Sequence, residues 1–259
     1  MVSRPEWGAA ARRNRAAELK QRNSPTMEQV PGREKMSIPS DVEATNDRLA
    51  REHPSDDYYD KSPAVIRWIE QQRLRIIRDM VSEDPNHQIL EIGSGGGHVL
   101  RMFRRAKLTA VDVSDVFLNS AKKNLAGYDV EFIKGEVDKL SLPAEKFDRI
   151  ICTEVLEHTK DPEAILREIA RLLRPGGRAI ITVPNDPLIN GLKGVVRRTP
   201  VGWVLRGKIE WGGDIFHIHI WKPAEFRAIL ERYFDVEVQR AAPNDWLPLR
   251  PCFLCRVKR

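Results

Sequence analysis

The chain is predicted to fold as an α/β domain with a doubly wound, mostly parallel sheet and helices on both faces. Three observations predict it. Short apolar runs alternate with amphipathic stretches between residues 88 and 184, the pattern of strand and crossover helix in turn. A glycine loop within LEIGSGGGH, residues 90–98, follows the first apolar run, where an open sheet of this kind cradles its ligand. The length of 259 residues suits one well-buried core with extensions.

The elements follow in order. Residues 1–40 are rich in Arg, Ala, Glu, Gln, Ser and Pro, with Trp7 their one aromatic, and are expected to be a disordered basic tail. Residues 41–259 are expected to form a single domain. Ser62 and Pro63 offer an N-cap and a first-turn proline. After them Val65, Ile66, Ile69, Ile76, Ile77 and Met80 mark a long amphipathic helix that ends before Pro85 and can pack over a cofactor cleft. The strand QILEI (88–92) leads through the glycine turn to a helix, HVLRMFRRA (98–106). LTAVDV (108–113) and the helix SDVFLNSAKKNLAG (114–127) come next, then DVEFIKG (129–135) and FDRIICT (147–153). The helix DPEAILREIARLLRPGG (161–177) precedes RAIITVPN (178–185). A helix over 223–233 separates these from FDVEVQR (234–240) and CFLCRVK (252–258), which can pair antiparallel at the sheet edge. No internal repeat is visible.

Hydrophobic residues make up 41% of the chain and charged residues 31%, as in soluble globular proteins. No apolar run approaches the roughly 20 residues that span a bilayer. The first 20 residues lack the apolar stretch of a secretory signal, and three cysteines make no disulfide framework, so a cytoplasmic setting is expected. Cys252 and Cys255 form a C-x-x-C without a second pair or nearby histidine, which reads as core packing rather than a zinc site. The net charge of +6 divides unevenly: residues 1–40 carry +4, residues 185–222 carry +3, and the remainder sums to −1. The fold itself is therefore not basic, and nucleic acid is not expected as a partner.

The carboxylate of Glu91 stands two residues before the glycines. A dinucleotide would place its pyrophosphate beside that loop, and an acid there would repel it in a poorly screened site. A ligand bearing an ammonium and a sulfonium would be attracted, so Glu91 points to S-adenosylmethionine rather than NAD. Asp112 ends the next strand 21 residues later, as suits a carboxylate that accepts hydrogen bonds from both ribose hydroxyls. It can instead cap the following helix, although Ser114 serves that purpose as well. After the third strand, Gly135, Glu136 and Val137 offer a polar side chain and a backbone N–H to an adenine edge.

Taken together, ILEIGSGGG, AVDVS, FDRIICTEVLEH and LLRPGGRAIITVPN resemble the class I S-adenosylmethionine-dependent methyltransferases, of the kind grouped as methyltransferase type 11/12. The resemblance covers about residues 62–259 and is strongest over 88–184. It implies a seven-stranded, Rossmann-like sheet with a reversed last hairpin. It also implies that Glu91, Gly93, Ser94, Gly95, Asp112, Val113, Glu136 and Val137 line the cofactor site, with Thr153 and Glu154 at the methionine end.

Transfer from a sulfonium is an in-line displacement, so the protein must align nucleophile and methyl and exclude water. A hydroxyl acceptor also needs a base or a metal. TEVLEH supplies Glu154, Glu157 and His158, an acid-acid-imidazole set suited to Mg²⁺ or Zn²⁺ if the turn is helical. FHIHIW alternates His217 and His219 with isoleucines, so both imidazoles point the same way if the segment is a strand, and one of them could complete that metal site. These features resemble two metal-using branches of the superfamily, the quinone-biosynthesis O-methyltransferases and the small-RNA 2′-O-methyltransferases. The same segment occurs in relatives that use no metal, where the histidine contacts cofactor or substrate, and a purely structural role stays open.

Residues 185–222, inserted after the fifth strand, are expected to face the substrate as an insertion or lid. Leu188, Ile189, Leu192, Val195 and Val196 share a helical face beside Lys193, Arg197 and Arg198, a pattern suited to peripheral membrane contact through 185–211. The function expected is O-methylation of a small or lipid-linked molecule. An RNA 2′-O-methyltransferase and a non-catalytic cofactor-binding module are the alternatives.

Overall fold

The computed structural model describes residues 47, 62–200, 203 and 217–258. The expected tail over 1–40 lies outside the described residues, as does most of 201–216. The sheet has seven strands in the order β3-β2-β1-β4-β5-β7-β6: β1 (Gln88–Ile92), β2 (Lys107–Asp112), β3 (Val130–Lys134), β4 (Phe147–Thr153), β5 (Leu173–Thr182), β6 (Phe234–Asn244) and β7 (Leu247–Val257). Strands β1 to β5 pair in parallel, and β7 runs antiparallel to both β5 and β6. The order reverses between β1 and β4, which opens a crevice beyond their carboxyl ends.

Among the described residues five helices cover the sheet: α1 (Ala64–Val81), α2 (Asp115–Asn124), α3 (Pro162–Leu172), α4 (Asp186–Arg197) and α5 (Pro223–Leu230). The strands read as near-continuous apolar runs because both faces are covered. Leu90, Ile92, Ile150 and Cys152 pack with Ile165, Leu166 and Ile169 of α3 and Phe226 of α5. Ile89, Ile151, Ile180 and Cys252 point the other way, to Ile77, Met80 and Val81 of α1 and Ala121 of α2. Period-two alternation therefore puts Glu91 on the α1 face with Ile89. The same alternation separates Cys255 from Cys252. Both thiols are buried, and burial pushes Cys252 up to about 12, so they pack rather than ligate.

Local chemistry sets the helix ends. Ser114 caps α2 by accepting from the Phe117 N–H, and Asp161 caps α3 by accepting from the Ala164 N–H, with Pro162 in its first turn. The start of α1 departs from expectation: Pro63 takes the N-cap position and no side chain caps the helix. Its end is closed by Ser82 in the left-handed region and by Arg149 Nε, which donates to the Val81 carbonyl at 2.8 Å.

The helix expected over 98–106 is reduced to one 3₁₀ turn, Leu100–Met102. Glu83 explains the difference. Its Oε1 accepts from the N–H groups of Arg105 and Ala106, at 2.6 and 3.0 Å, so those donors are turned away from helical carbonyls. Val99, Leu100, Phe103 and Ala106 remain buried in the α1-face core although the helix does not form. Glu83→Ala is expected to lower stability by about 1–3 kcal/mol in urea unfolding, because two amides lose a charged acceptor. A change within error would remove Glu83 as the determinant of this turn.

Candidate active site

The crevice between β1 and β4 holds a cavity of about 300 Å³. Its floor is the glycine loop. Gly93 and Ser94 donate to the Val111 carbonyl at 2.8 and 3.0 Å, and Gly95 donates to Asp112 Oδ2 at 2.8 Å. At Gly93, with φ of +69°, an added Cβ would lie 2.3 Å from Val155 Cγ2, whereas Gly95, at +50°, meets nothing within 4 Å. The first glycine thus lets the loops after β1 and β4 approach, and the second leaves room for a ligand.

Glu91 is 1% exposed. One oxygen accepts from the Leu100 N–H, and Oε2 has no hydrogen-bond partner. Burial pushes its carboxyl well above the ordinary range, against the opposing pull of the Leu100 amide and of Arg73, while the Asp112 charge adds to the rise. The Ser94 hydroxyl is buried beside it, also unpartnered. Such groups are costly unless a ligand satisfies them.

Asp112 is committed to the loop, since its Oδ1 accepts from Ser114 N–H at 2.9 Å while Oδ2 holds Gly95. Burial raises its pKa, opposed by these amides. Because Ser114 caps α2, the Asp112 side chain is not the cap. Asp112, Val113, Glu136 and Val137 do not contribute to the cavity lining. Glu136 pairs with Lys139 at 2.6 Å, and the Val137 side chain is buried in the α3-face core. Glu91, Gly93, Ser94, Gly95, Thr153 and Glu154 do line it.

The opposite wall comes from Glu154, Glu157, His158 and His217. Glu154 adopts φ of +55°, a conformation that costs a non-glycine residue roughly 1–2 kcal/mol. Several bonds over-determine it: its N–H donates to the Thr182 carbonyl at 3.1 Å, Oε1 accepts from Thr182 Oγ1 at 3.0 Å, and Oε2 lies 3.2 Å from Arg250 Nη1. Glu157 is 1% exposed, and neither carboxylate oxygen has a hydrogen-bond partner. Burial, then the charge of Glu154, pushes its carboxyl well up.

His217 Nδ1 lies 2.7 Å from Asp186 Oδ2, both side chains being 9% exposed, and its ring meets that of His158 edge-on with centroids 4.8 Å apart. A carboxylate on Nδ1 selects the tautomer whose lone pair is on Nε2. The metal set anticipated from the sequence, Glu154, Glu157 and His158, is corrected. Among the described residues, those whose ligand atoms lie within 4.8 Å of one another are Glu157, His158 and His217. Arg250 and Thr182 hold Glu154 instead.

His219 is a second correction. Residues 217–220 form a bend rather than a strand, because the N–H groups of Ile218 and His219 both reach the Glu157 carbonyl, at 2.8 and 3.1 Å. The two imidazoles therefore diverge. His219 Nε2 bonds the Thr159 carbonyl at 3.0 Å, and its ring stacks on Trp221.

Five lining or supporting residues were missed from the sequence: Glu70, Arg73, His98, Asp186 and Arg250. Glu70 and Arg73 sit on the α1 stripe that continues with Ile77 and Met80, so charged residues on an otherwise apolar face were the available signal. They are 4% exposed each and 2.7 Å apart. Burial alone would raise Glu70, but the guanidinium groups of Arg73 and Arg250 outweigh it and hold the carboxyl below its ordinary value.

The Glu91 shift carries a prediction for the protein without ligand. Its folded pKa lies above the unfolded value of 4.5, so its stabilising contribution is present below about pH 4.5 and is lost as pH rises through the folded value. Glu91→Gln is expected to melt like wild type near pH 4.5 and several degrees higher near about pH 8, where a buried charge is most costly. A variant that melts lower than wild type at the higher pH would contradict this assignment.

Residues 90–181 match a family model described as a methyltransferase domain. The chain is 32% identical over 133 residues to a ubiquinone biosynthesis O-methyltransferase of Dechloromonas aromatica, covering 49% of this chain and 53% of that one. Its likeness to the Xylella fastidiosa protein of the same description is 34% over 126 residues, or 44% and 51%. The chain thus spans about half the length of these curated relatives. Among solved structures, the N-methyltransferase NodS of Bradyrhizobium japonicum, in complex with S-adenosyl-L-homocysteine, superposes with a TM-score of 0.59 at 19% identity, over 82% of this chain and 97% of that one. A protein of Pyrococcus horikoshii gives 0.59 at 18%, over 82% and 99%. The strand order, the glycine loop and these likenesses agree: residues 90–181 carry a methyltransferase domain, on a sheet with the class I methyltransferase topology.

Proposed function

We propose that this chain transfers the methyl group of S-adenosylmethionine to a hydroxyl oxygen of a small or lipid-linked acceptor. The observation that carries the reading is that one cavity joins the unpartnered Oε2 of Glu91 beside the glycine loop to His217, held by Asp186, on the far wall. The names of the matched relatives support an oxygen acceptor of the quinone-precursor kind.

In this reading Glu91 Oε2 accepts from the cofactor's ammonium, and Arg73 faces its carboxylate. Asp112 holds Gly95 and turns its remaining lone pairs toward the ribose. Bound so, S-adenosylmethionine would supply an electrophilic methyl group, and Glu157, His158 and His217 would line the side from which the acceptor approaches. His217, oriented by Asp186, takes the acceptor's proton at Nε2 as the oxygen attacks. The cavity wall and α1 exclude water from the line of attack.

The same wall has the chemistry of a divalent-cation site. Glu157 offers two buried oxygens without partners, and Asp186 stands behind His217 as an outer-sphere carboxylate commonly does. One carboxylate with two imidazoles suits Zn²⁺ or Mn²⁺ better than Mg²⁺, which favours oxygen ligands. A cation held there would occupy His217 Nε2, replacing its role as base, and would instead lower the acceptor hydroxyl's pKa so that the proton leaves to solvent. Four carboxylates around the cavity, Glu70, Glu91, Glu154 and Glu157, disfavour a polyanion such as RNA.

The acceptor's approach is proposed to involve α4. Among the described residues of that helix only Asp186 is buried, and Leu192 and Val195 are exposed beside Lys193, Arg197 and Arg198. This face suits an anionic lipid surface. No described helix is long and apolar enough to cross a membrane.

Two outcomes follow. Asp186→Asn is expected to lower kcat about a hundredfold or more, read with labelled S-adenosylmethionine and a catechol or quinol acceptor, while the cofactor's dissociation constant stays within error. Equal losses in both would make the pair a binding element, and cofactor binding without transfer to any acceptor would favour a non-catalytic module. Sedimentation with vesicles containing anionic lipid is expected to retain the wild type and to lose Leu192→Glu/Val195→Glu. Equal retention would remove α4 as the contact.

A further inference from the structure

A second cavity, of about 490 Å³, lies between the carboxyl-terminal half of α1 and the strands β4, β5, β6 and β7. It shares no lining residue with the cofactor cavity. Ile76, Met80, Val238 and Leu254 give it an apolar floor, and Arg149, Arg178 and Arg240 bring three guanidinium groups against the carboxylates of Asp79 and Glu237.

Strand register brings the arginines together. Arg149 pairs with Arg178 across β4 and β5, and Arg178 pairs with Arg256 across β5 and β7. All three side chains project to the α1 face, because each shares its strand's parity with Ile151, Ile180 or Cys252 of the core on that face. Like charges directly opposite one another on neighbouring strands are destabilising, so this row needs anions beside it.

The protein supplies only part of them. One oxygen of Glu237 accepts from Arg178 Nε at 2.6 Å, and the other lies 3.3 Å from Arg256 Nε. Arg240 is met by Asp245 at 3.1 Å, and Asp79 by Arg78 at 3.2 Å. Arg149 is treated differently. Its Nε and Nη1 donate to the carbonyls of Val81 and Asp148, each at 2.8 Å, and it forms no ion pair among the described residues. Burial, then the charge of Arg178, lowers its pKa. Among the described residues, Nη2 of Arg149 and both η nitrogens of Arg178 have no protein acceptor. Paired guanidinium groups with such donors match the oxygens of a phosphate.

We propose that this second cavity binds the phosphate group of a small molecule between Arg149 and Arg178, with Arg240 at the rim and the apolar floor beneath the rest of the ligand. The site is separate from the cofactor cavity and stands whether or not the methyl-transfer reading does.

The experiment is titration of the full chain with phenyl phosphate and, separately, with inorganic phosphate, followed by phosphorus nuclear magnetic resonance in metal-free buffer. S-adenosylhomocysteine is included to keep the anion from the glycine loop. Phenyl phosphate is expected to saturate one site with a dissociation constant of about 1 mM or below. Arg149→Gln and Arg178→Gln are each expected to weaken it about tenfold or more. Lys122→Gln, the same change in net charge but on α2, is expected to bind as wild type does. Tighter binding of phenyl phosphate than of inorganic phosphate assigns the cavity to an esterified ligand, equal constants assign it to free phosphate, and either supports a phosphate site. Absence of saturable binding of both overturns the proposal. Binding that the two arginine variants retain, or that Lys122→Gln loses equally, overturns it as well. If Arg149→Gln does not fold, because a carbonyl at the end of α1 loses its donor, Arg178→Gln carries the same outcomes. Failure of S-adenosylhomocysteine to bind would count against the methyl-transfer reading, while the arginine variants still report on the second cavity.

Discussion

The Glu91 carboxylate, half-satisfied at the carboxyl end of the central strand β1, is the constraint around which the cavity is organised. Period-two alternation places it on the α1 face, where Ile89 is already committed to the core. Burial there raises its pKa, and no protein group satisfies Oε2. The fold tolerates this because apolar clusters on both faces of the sheet anchor β1. A cation arriving beside the glycine loop would satisfy what folding leaves unsatisfied, so part of the binding energy is prepared as a local deficit in the free protein.

A second level of organisation lies in how differently the acids of the cavity are treated. Glu70 is held between two guanidinium groups and kept ionised, whereas Glu91 and Glu157 have unpartnered oxygens and raised pKa values. Divergent environments for like groups are how one site separates binding from proton transfer. Asp186 contributes through His217, fixing the ring rather than reaching the cavity itself. These acids come from α1, β1, the turn after β4 and the start of α4, so the arrangement depends on the whole crossover topology.

The strands of the sheet and the helices α2, α3 and α5 were legible because apolar periodicity and caps agree there, as Ser114 and Asp161 illustrate. The Cys252–Cys255 pair read correctly as packing for the same reason. Glu83 was decisive and invisible, because its effect on residues 105 and 106 crosses more than 20 residues of chain. The alternation in FHIHIW suggested a strand, yet the Glu157 carbonyl bends the segment and sends His219 away from the cavity. The glycine loop and the TEVLEH turn announce themselves as motifs. Arg73 and Arg250, which line the cavity, and Asp186, which acts on it through His217, carry no motif and become functional candidates only once the chain is folded.

The selectivity of Glu91 and the glycine loop is open to direct test. The most direct test is calorimetric titration of the unliganded protein with S-adenosylmethionine and, in parallel, with NAD. Saturable binding of S-adenosylmethionine is expected, with no detectable heat of binding from the dinucleotide, whose pyrophosphate would face a buried acid. Binding of NAD with comparable affinity, or no binding of S-adenosylmethionine, would contradict it.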